Sequence, residues 1–557
     1  MGNGADRCCA GRVAPSREVV VVDYGAGNVQ SVCNAIIALG LRVRRAQEPD
    51  DINHAQRIVF PGVGAFGPCI ARLHHLSFFE PLKKYIDSGR PFFGICLGMQ
   101  TLFEYSEESP GVSGLSVFPG TVKKFSNNEG LAVPHMGWSG VAPMQVDPWP
   151  FATEPPRYYF VHSYCVPMPN AGQGSWALGC SEYGQRFVCA VRRGHCVATQ
   201  FHPEKSGSVG LELLGRWLRE GPAPASCPAA PKPPPPPSRR VIACLDVRAN
   251  DEGDLVVTKG DQYDVREGEG DIRNHGKPVE LAERYFQEGA DEISFLNITA
   301  FREVVLKDQP MLTLLRQAAA KIFVPLTVGG GVRGYTDQDG KEYSALDVAD
   351  AYFRAGADKI SIGTDAVEAA EKYYEVGKLD GTSSIERISK KYGRQAVVVS
   401  FDPRRVYVAN PKDCDHECVE VGQGTNTPLG PNKERFAWYC CTSKGGRQDS
   451  KLDVVQLAKA VDALGAGEIL LNCIDRDGQK NGFELELIRQ VKSVCTLPVI
   501  ASSGAGSVQD FSTVLLPAAG GGGGADAALA AGIFHRREVP LEAVKEHLAE
   551  AGIAVRR

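Results

Sequence analysis

The 557-residue sequence has no marked excess of either charge sign: 61 Lys plus Arg stand against 66 Asp plus Glu, a formal net charge of −5. That balance offers no electrostatic footprint for nucleic acid or an anionic membrane, so neither is expected as a partner. No run approaches the ~18 apolar residues that a membrane-spanning helix needs. The N-terminus lacks the apolar core of a signal peptide, which argues against secretion. Residues 1–17, with Arg7, Arg12 and Arg17 among small residues, are expected to be a disordered tail; the remnant of an organelle-targeting peptide is the alternative. Cysteine is not scarce, but its 17 copies are odd in number and follow no disulfide framework. They point to mostly buried thiols in a reducing compartment, and cytosol and plastid stroma both fit. With 43% apolar and 23% charged residues, the rest of the composition is that of a globular protein too long for one core.

One composition break dominates the chain. Residues 221–238, GPAPASCPAAPKPPPPPS, hold nine prolines, five of them consecutive. Such a run packs neither as helix nor as central strand, and is expected to be a stiff, extended linker. It divides a domain at 18–220 from one at 239–557. In the first, VVVVD (19–23), RIVFPG (57–62) and PFFGIC (91–96) alternate with helical patterns, which predicts a parallel sheet covered on both faces. The second repeats itself. IACLDV (242–247) is echoed by VVSFDP (398–403), ADEISFLN (290–297) by GEILLN (467–472), and TVGGGV (327–332) by IASSGAG (500–506). Two such (βα)₄ units predict one eight-stranded (βα)₈ TIM barrel, so the fold class is α/β throughout.

GICLG (94–98) has the form of a nucleophile elbow, with Cys96 on a sharp strand-to-helix turn. A nucleophilic thiolate needs a base, and His202 in FHPE (201–204) is the candidate, with Glu204 placed to orient its imidazole. An isolated buried cysteine is usually inert core; this combination in this chain order argues otherwise. GAGNVQ (25–30) begins like a dinucleotide fingerprint, but Gln30 occupies its sixth position and that reading is rejected. No cofactor is expected.

VDYGAGN (22–28), PGVGAFG (61–67), GICLGMQ (94–100), PHMGW (134–138), YYFVHSY (158–164) and QFHPEKS (200–206) resemble class I glutamine amidotransferases. The likeness is specifically to the glutaminase component of imidazole glycerol phosphate synthases. It implies Cys96, His202 and Glu204 as a catalytic triad, and Gly62, Val63 and Gly64 as an oxyanion strand.

In the second domain the repeat places Asp246 and Asp402 at equivalent strand ends, 156 residues apart. Two carboxylates across a barrel mouth suit acid–base work on a substrate held between them; a single strand-end Asp is as often a cap. Glycine-rich strand ends at Gly329–Gly331 and Ser503–Gly506 suggest two anion sites on opposite sides. RRVIACLDV (239–247), GADKISIGTDA (356–366), GAGEILLNCIDRDG (465–478) and ADAALAAGIFH (525–535) resemble the cyclase component of the same synthases. The resemblance implies a bisphosphorylated aminoimidazole-carboxamide ribonucleotide as substrate, with ammonia as the second reactant and imidazole glycerol phosphate as product. It assigns catalysis to Asp246 and Asp402, and substrate or phosphate binding to Lys259, Gly331, Thr364, Asp477, Gly478, Gly504 and Gly532. It also implies an ammonia gate of Arg240, Glu292, Lys359 and Glu468, and an interdomain contact between Lys205 and Asp358. Without the resemblance, those four charges read as unrelated surface ion pairs.

Two positions depart from the family's bacterial pattern: Gly363 stands where an Asn is common, and Ser503 where a Gly is. Both can still donate a backbone N–H to phosphate. Gly520–Gly524 reads as a flexible loop. CDHEC (414–418) packs metal-ligating residue types together, but its spacing matches no closed site, so a polar loop without metal is expected. The alternatives to a fused synthase are a glutaminase feeding a different phosphosugar barrel and an inactive scaffold. The intact triad and Asp pair argue against the second.

Overall fold

The computed structural model describes residues 18–126, 131–145, 156–170, 174–220, 233–249, 255–258, 277–298, 309–336 and 340–556. The expected tail at 1–17, most of the linker and Lys259 lie outside these residues.

In the first domain the strands Arg42–Ala46, Glu18–Val22, Ile58–Phe60, Phe92–Ile95 and Cys196–Thr199 lie side by side, all parallel. Antiparallel strands extend the sheet beyond Cys196–Thr199, beginning with Gln185–Arg193. The run Val19–Val22 shows why both faces must be covered. Val19 and Val21 pack with Val32 and Trp217 from the helices Val29–Ala38 and Gly207–Glu220. Val20 and Val22 pack with Ile70 and Leu82 from the helices Phe66–His75 and Phe79–Asp87. A strand alternates its side chains between faces, so only a chain buried on both sides tolerates an unbroken valine run.

The second domain is a closed ring of eight parallel strands: Arg240–Ala249, Glu292–Asn297, Leu326–Gly329, Lys359–Ile362, Val397–Val408, Glu468–Asn472, Val499–Ser502 and Ala527–Ala530. Each pairs with the next, and the eighth returns to the first. Between strands the chain forms helices with well-made starts. Ser344, Ser383 and Asp453 each open one with a reciprocal capping box. Among the described residues no helix is long and apolar enough to cross a membrane.

A hairpin of the first domain, His135–Gly140 paired with Arg157–His162, joins the two halves of the molecule. Its Met136, Trp138, Tyr159 and Val161 share one apolar cluster with the barrel. The described end of the proline run is docked along this hairpin: Gly140 N–H donates to Pro235 O at 3.3 Å and Ser238 N–H to Trp138 O at 2.8 Å. There it is an edge to the interface and not a free spacer. The Gly520–Gly524 run likewise differs from the flexible loop its composition suggests. Arg489 donates to the carbonyls of Gly521 and Gly522, and the amides of Gly523 and Gly524 donate to Thr513 O and Leu516 O. A Cβ on Gly522 would stand 2.2 Å from Leu516 O, so glycine here permits a close wrap.

Candidate functional site

The structure places the sequence-derived residues in three groups along the molecule. In the first, the sheet strand Phe92–Ile95 runs into Cys96 and then a single helical turn, Leu97–Gln100. Cys96 itself takes the left-handed turn, φ 54° and ψ −106°. A non-glycine residue there costs on the order of 1–3 kcal/mol, a cost typical of sites where function fixes the geometry. The flanking glycines serve close approach instead: a Cβ on Gly98 would fall 2.1 Å from Phe60 O. Cys96 N–H donates to Thr199 O at 2.7 Å, tying the elbow to the neighbouring strand that leads into His202.

His202 Nδ1 lies 2.7 Å from Glu204 Oε1, both side chains buried. His202 Nε2 and Glu204 Oε2 are buried without a hydrogen-bond partner. Burial pushes the imidazole pKa down, but the Glu204 carboxylate and the Cys96 sulfur outweigh it, and the group stands well above its ordinary value. Gln200 Nε2 donates to Cys96 Sγ at 3.4 Å. The arrangement can therefore hold a proton on the imidazole beside the sulfur.

Cys96 borders a cavity of about 430 Å³. Val63 and Gly64 line it from the expected oxyanion strand, and the structure shows how that strand is held. Leu97 N–H, the amide after the candidate nucleophile, donates to Gly62 O at 3.2 Å, and Tyr24 O–H donates to Val63 O at 2.6 Å. Gln100, Glu108 and Tyr164 also face the cavity and were not singled out from sequence. Burial raises the Glu108 pKa, and its carboxylate accepts from Phe66 N–H at 2.8 Å. The opposite wall belongs to the barrel, from the helix Ser384–Tyr392 and the turn after it. Gly64 sits so close that a Cβ would be 2.9 Å from Lys391 O.

The second group lies where the hairpin meets the barrel. Arg240, Glu292, Lys359 and Glu468 are the first residues of strands one, two, four and six. They close a ring. Arg240 bonds Glu292 at 2.9 Å and also Glu468, while Lys359 reaches Glu292 and Glu468 at 2.7 Å each. All four side chains are at most 1% exposed, so they are not separate surface pairs. Thr327 Oγ1 donates to Glu292 at 2.6 Å. Burial opposes charge on Glu292, but Lys359 and Arg240 hold its pKa below the ordinary carboxylate range. Lys359 Nζ also lies 3.6 Å from Met136 Sδ of the hairpin. Beside the ring, Lys205 Nζ pairs with Asp358 at 2.7 Å. Asn28 Nδ2 adds a bond to Asp358 at 2.7 Å, and Leu326 N–H another at 2.8 Å.

The third group is the far mouth of the barrel. One cavity of about 280 Å³ is lined by Asp246 and Asp402 together with Gly331, Thr364, Asp477, Gly478, Gly504 and Gly532. Cations that sequence reading passed over, Arg333, Lys444, Lys480 and Arg536, line it too. Asn472 Nδ2 donates to Asp402 at 3.0 Å, and burial raises the Asp402 pKa against that bond. Cys244 Sγ stands 3.9 Å from Asp246. Asn472 carries no motif of its own; only its place in the repeated strand end could have marked it. Gly363 follows strand four as the N-cap of the helix Thr364–Val376, and its carbonyl accepts from Ala366 N–H. Ser503 adopts φ 70°, a glycine-like backbone for a residue that is not glycine.

Comparison with known proteins agrees with this layout. The family Glutamine amidotransferase class-I matches residues 20–218, and the family Histidine biosynthesis protein matches residues 240–540. The chain is 52% identical over 544 residues, 97% of its length, to the imidazole glycerol phosphate synthase hisHF, chloroplastic, of Arabidopsis thaliana, covering 89% of that protein. It is 50% identical over 549 residues to the imidazole glycerol phosphate synthase hisHF of Schizosaccharomyces pombe, covering 97% of this chain and 99% of the relative. Imidazole glycerol phosphate synthase subunit HisF of Corynebacterium glutamicum is 40% identical over 318 residues, 57% of this chain and 98% of its own. The chain therefore belongs to the imidazole glycerol phosphate synthase family of enzymes, in the form that joins a glutamine amidotransferase domain and a histidine-biosynthesis barrel in one polypeptide.

Proposed function

We propose that the chain hydrolyses glutamine at Cys96, passes the ammonia through the hairpin and charged ring, and uses it in the barrel to make imidazole glycerol phosphate. The observation that carries this reading is the continuity of the three groups. Val161 packs into the barrel cluster and borders the Cys96 cavity, while Met136 of the same hairpin touches Lys359 of the ring.

Cys96 Sγ attacks the glutamine carboxamide carbon, and His202, charged with the help of Glu204, returns a proton to the departing ammonia. Water then hydrolyses the thioester to glutamate. The tetrahedral oxyanion needs donors from Leu97 and the strand Gly62–Gly64, so the Leu97–Gly62 bond must open when glutamine is bound. Gly64 touches the barrel helix, which gives barrel occupancy a route to that strand. Ammonia is small and neutral, and an ion pair of the ring would have to open to admit it.

In the barrel, ammonia attacks the ribulosyl carbonyl of the bisphosphorylated ribonucleotide. Ring closure and cleavage give imidazole glycerol phosphate and aminoimidazole carboxamide ribotide. Asp402, with its raised pKa, supplies the acid and Asp246 the base. Gly331, Thr364, Gly504 and Gly532 would hold the two phosphates at opposite sides, with Asp477, Gly478 and the lysine at 259 completing the substrate contacts. Free cysteines among the described residues and the chloroplastic relative support a reducing compartment, cytosol or plastid stroma. The domains are assigned to 18–220 and 239–557, on either side of the proline-rich linker.

The test is Cys96→Ala in the full chain. Glutamine-dependent synthesis should fall by about 10⁵-fold or more, as for loss of a triad nucleophile, while synthesis from added ammonium persists. Loss of both reactions in a folded variant would contradict the division of labour.

A further inference from the structure

The cluster Cys414–Cys418 is used by none of this chemistry, and its geometry is specific. The two Sγ atoms lie 3.6 Å apart, both residues half-buried. His416 between them folds its backbone around the pair: its N–H donates to Cys414 Sγ at 3.3 Å, and its carbonyl stands 3.5 Å from each sulfur. Its imidazole is engaged elsewhere, Nδ1 at 3.2 Å from Asp453 and the ring stacked on Trp438 at 3.8 Å between centroids. Among the described residues no group of three or more His, Cys, Asp or Glu side chains is placed to hold a metal ion. Most of the other described cysteines are buried, where thiols are shielded from reagents.

We infer that Cys414 and Cys418 are a thiol–disulfide modification site, oxidised by a small disulfide of the glutathione type, and that oxidation slows the barrel reaction. A disulfide needs the sulfurs at about 2.05 Å, a closure of roughly 1.5 Å from where they stand. One protein thiolate attacks the small disulfide, forming a mixed disulfide and releasing one thiol. The second protein thiolate then attacks the mixed disulfide at the protein sulfur and expels the other. Two protein thiols and one small disulfide become one protein disulfide and two small thiols, which take up the two protons. The protein sulfurs are oxidised and the small disulfide is reduced. Burial, with Cys414 and Asp453 adding to it, pushes the Cys418 thiol up to about 11.

The route to the barrel is short. Closure removes both thiol hydrogens that the His416 carbonyl accepts, and the His416 ring rests on Trp438 in the strand Phe436–Ser443. That strand pairs along Val397–Val408, with Trp438 opposite Val406 and Thr442 opposite Asp402. Thr442 Oγ1 donates to Asp402 O at 2.5 Å. Asp453, the other partner of His416, caps the helix Val454–Leu464.

The experiment equilibrates full-length Cys96→Ala protein in reduced and oxidised glutathione mixtures, followed by thiol alkylation, peptide mass mapping and an ammonia-dependent rate. The mass readout stands even if the barrel reaction is not the one proposed above. The expected result is loss of two hydrogens from the peptide holding Cys414 and Cys418 as the mixture becomes richer in oxidised glutathione, reversed when reduced glutathione is in excess. The rate should fall about twofold or more, recover on reduction, and be insensitive to poise in Cys418→Ser. Thiols that alkylate at every poise, glutathione retained on either cysteine, or a disulfide with an unchanged rate would each overturn the inference.

Discussion

The two halves of the barrel place an aspartate at the same strand end and then surround it differently. Asp402 is held by Asn472, and Asn472 Oδ1 in turn accepts from Ser503 O–H at 2.8 Å. In the first half the position equivalent to Ser503 is Gly330, at φ 91°, where a Cβ would lie 2.1 Å from Asn297 O. No side chain fits there. The second half accepts the cost of a serine at φ 70° and gains a serine–asparagine–aspartate chain. Repetition thus supplied two carboxylates, and local divergence gave the second half a serine that braces the asparagine beside Asp402.

The largest effects are expected from Asp246→Asn and Asp402→Asn. Each should lower ammonia-dependent synthesis by about 10²–10⁴-fold, the range for loss of a general acid or base, with glutamine hydrolysis at Cys96 retained. If one variant were fully active in steady-state assays, the division into acid and base would fail.

Asp402→Asn carries a smaller effect as well, on stability. The Asp402 pKa is raised in the folded protein, so the folded state binds the proton more tightly than the unfolded chain. Its contribution is fully present below the unfolded pKa and is lost as pH rises through the folded one. Asp402→Asn removes that loss. Thermal unfolding should show the variant gaining stability relative to the parent at pH 8, with no such gain at pH 3. Equal differences at both pH values would contradict the raised pKa.

The smallest effect is expected from Ser503→Gly. Relief of the left-handed backbone and loss of the hydroxyl bond oppose each other, each worth about 1 kcal/mol, so stability should change little. Ammonia-dependent turnover should still drop a fewfold because Asn472 is less fixed; an unchanged rate would make the serine incidental.

Much of this was legible in the sequence because it rests on local chemistry. The valine run, the GICLG elbow, the HPE triplet and the half-barrel echoes each announce a strand, turn or repeat within a few residues. The charged ring was legible only through family resemblance, since Arg240 and Glu468 lie 228 residues apart. Contacts made by the tertiary fold left no local trace. Asn28 caps the helix Val29–Ala38, accepting from Ser31 N–H at 3.0 Å, yet the same side chain reaches Asp358 across the domains, which no local pattern marks. Glu108 carries no motif that marks it for a cavity wall. Gly520–Gly524 misleads for the converse reason: glycine signals freedom in a chain considered alone, while here it permits a backbone to pack against a helix end.

Coupling of the two sites within one polypeptide would show in the rate of glutamine hydrolysis measured with and without the bisphosphorylated ribonucleotide in the barrel. Strong stimulation by that ligand is expected, most of it lost in Asp358→Ala, which removes the carboxylate shared by Lys205 and Asn28. A hydrolysis rate indifferent to the ligand in the parent protein would contradict the coupling.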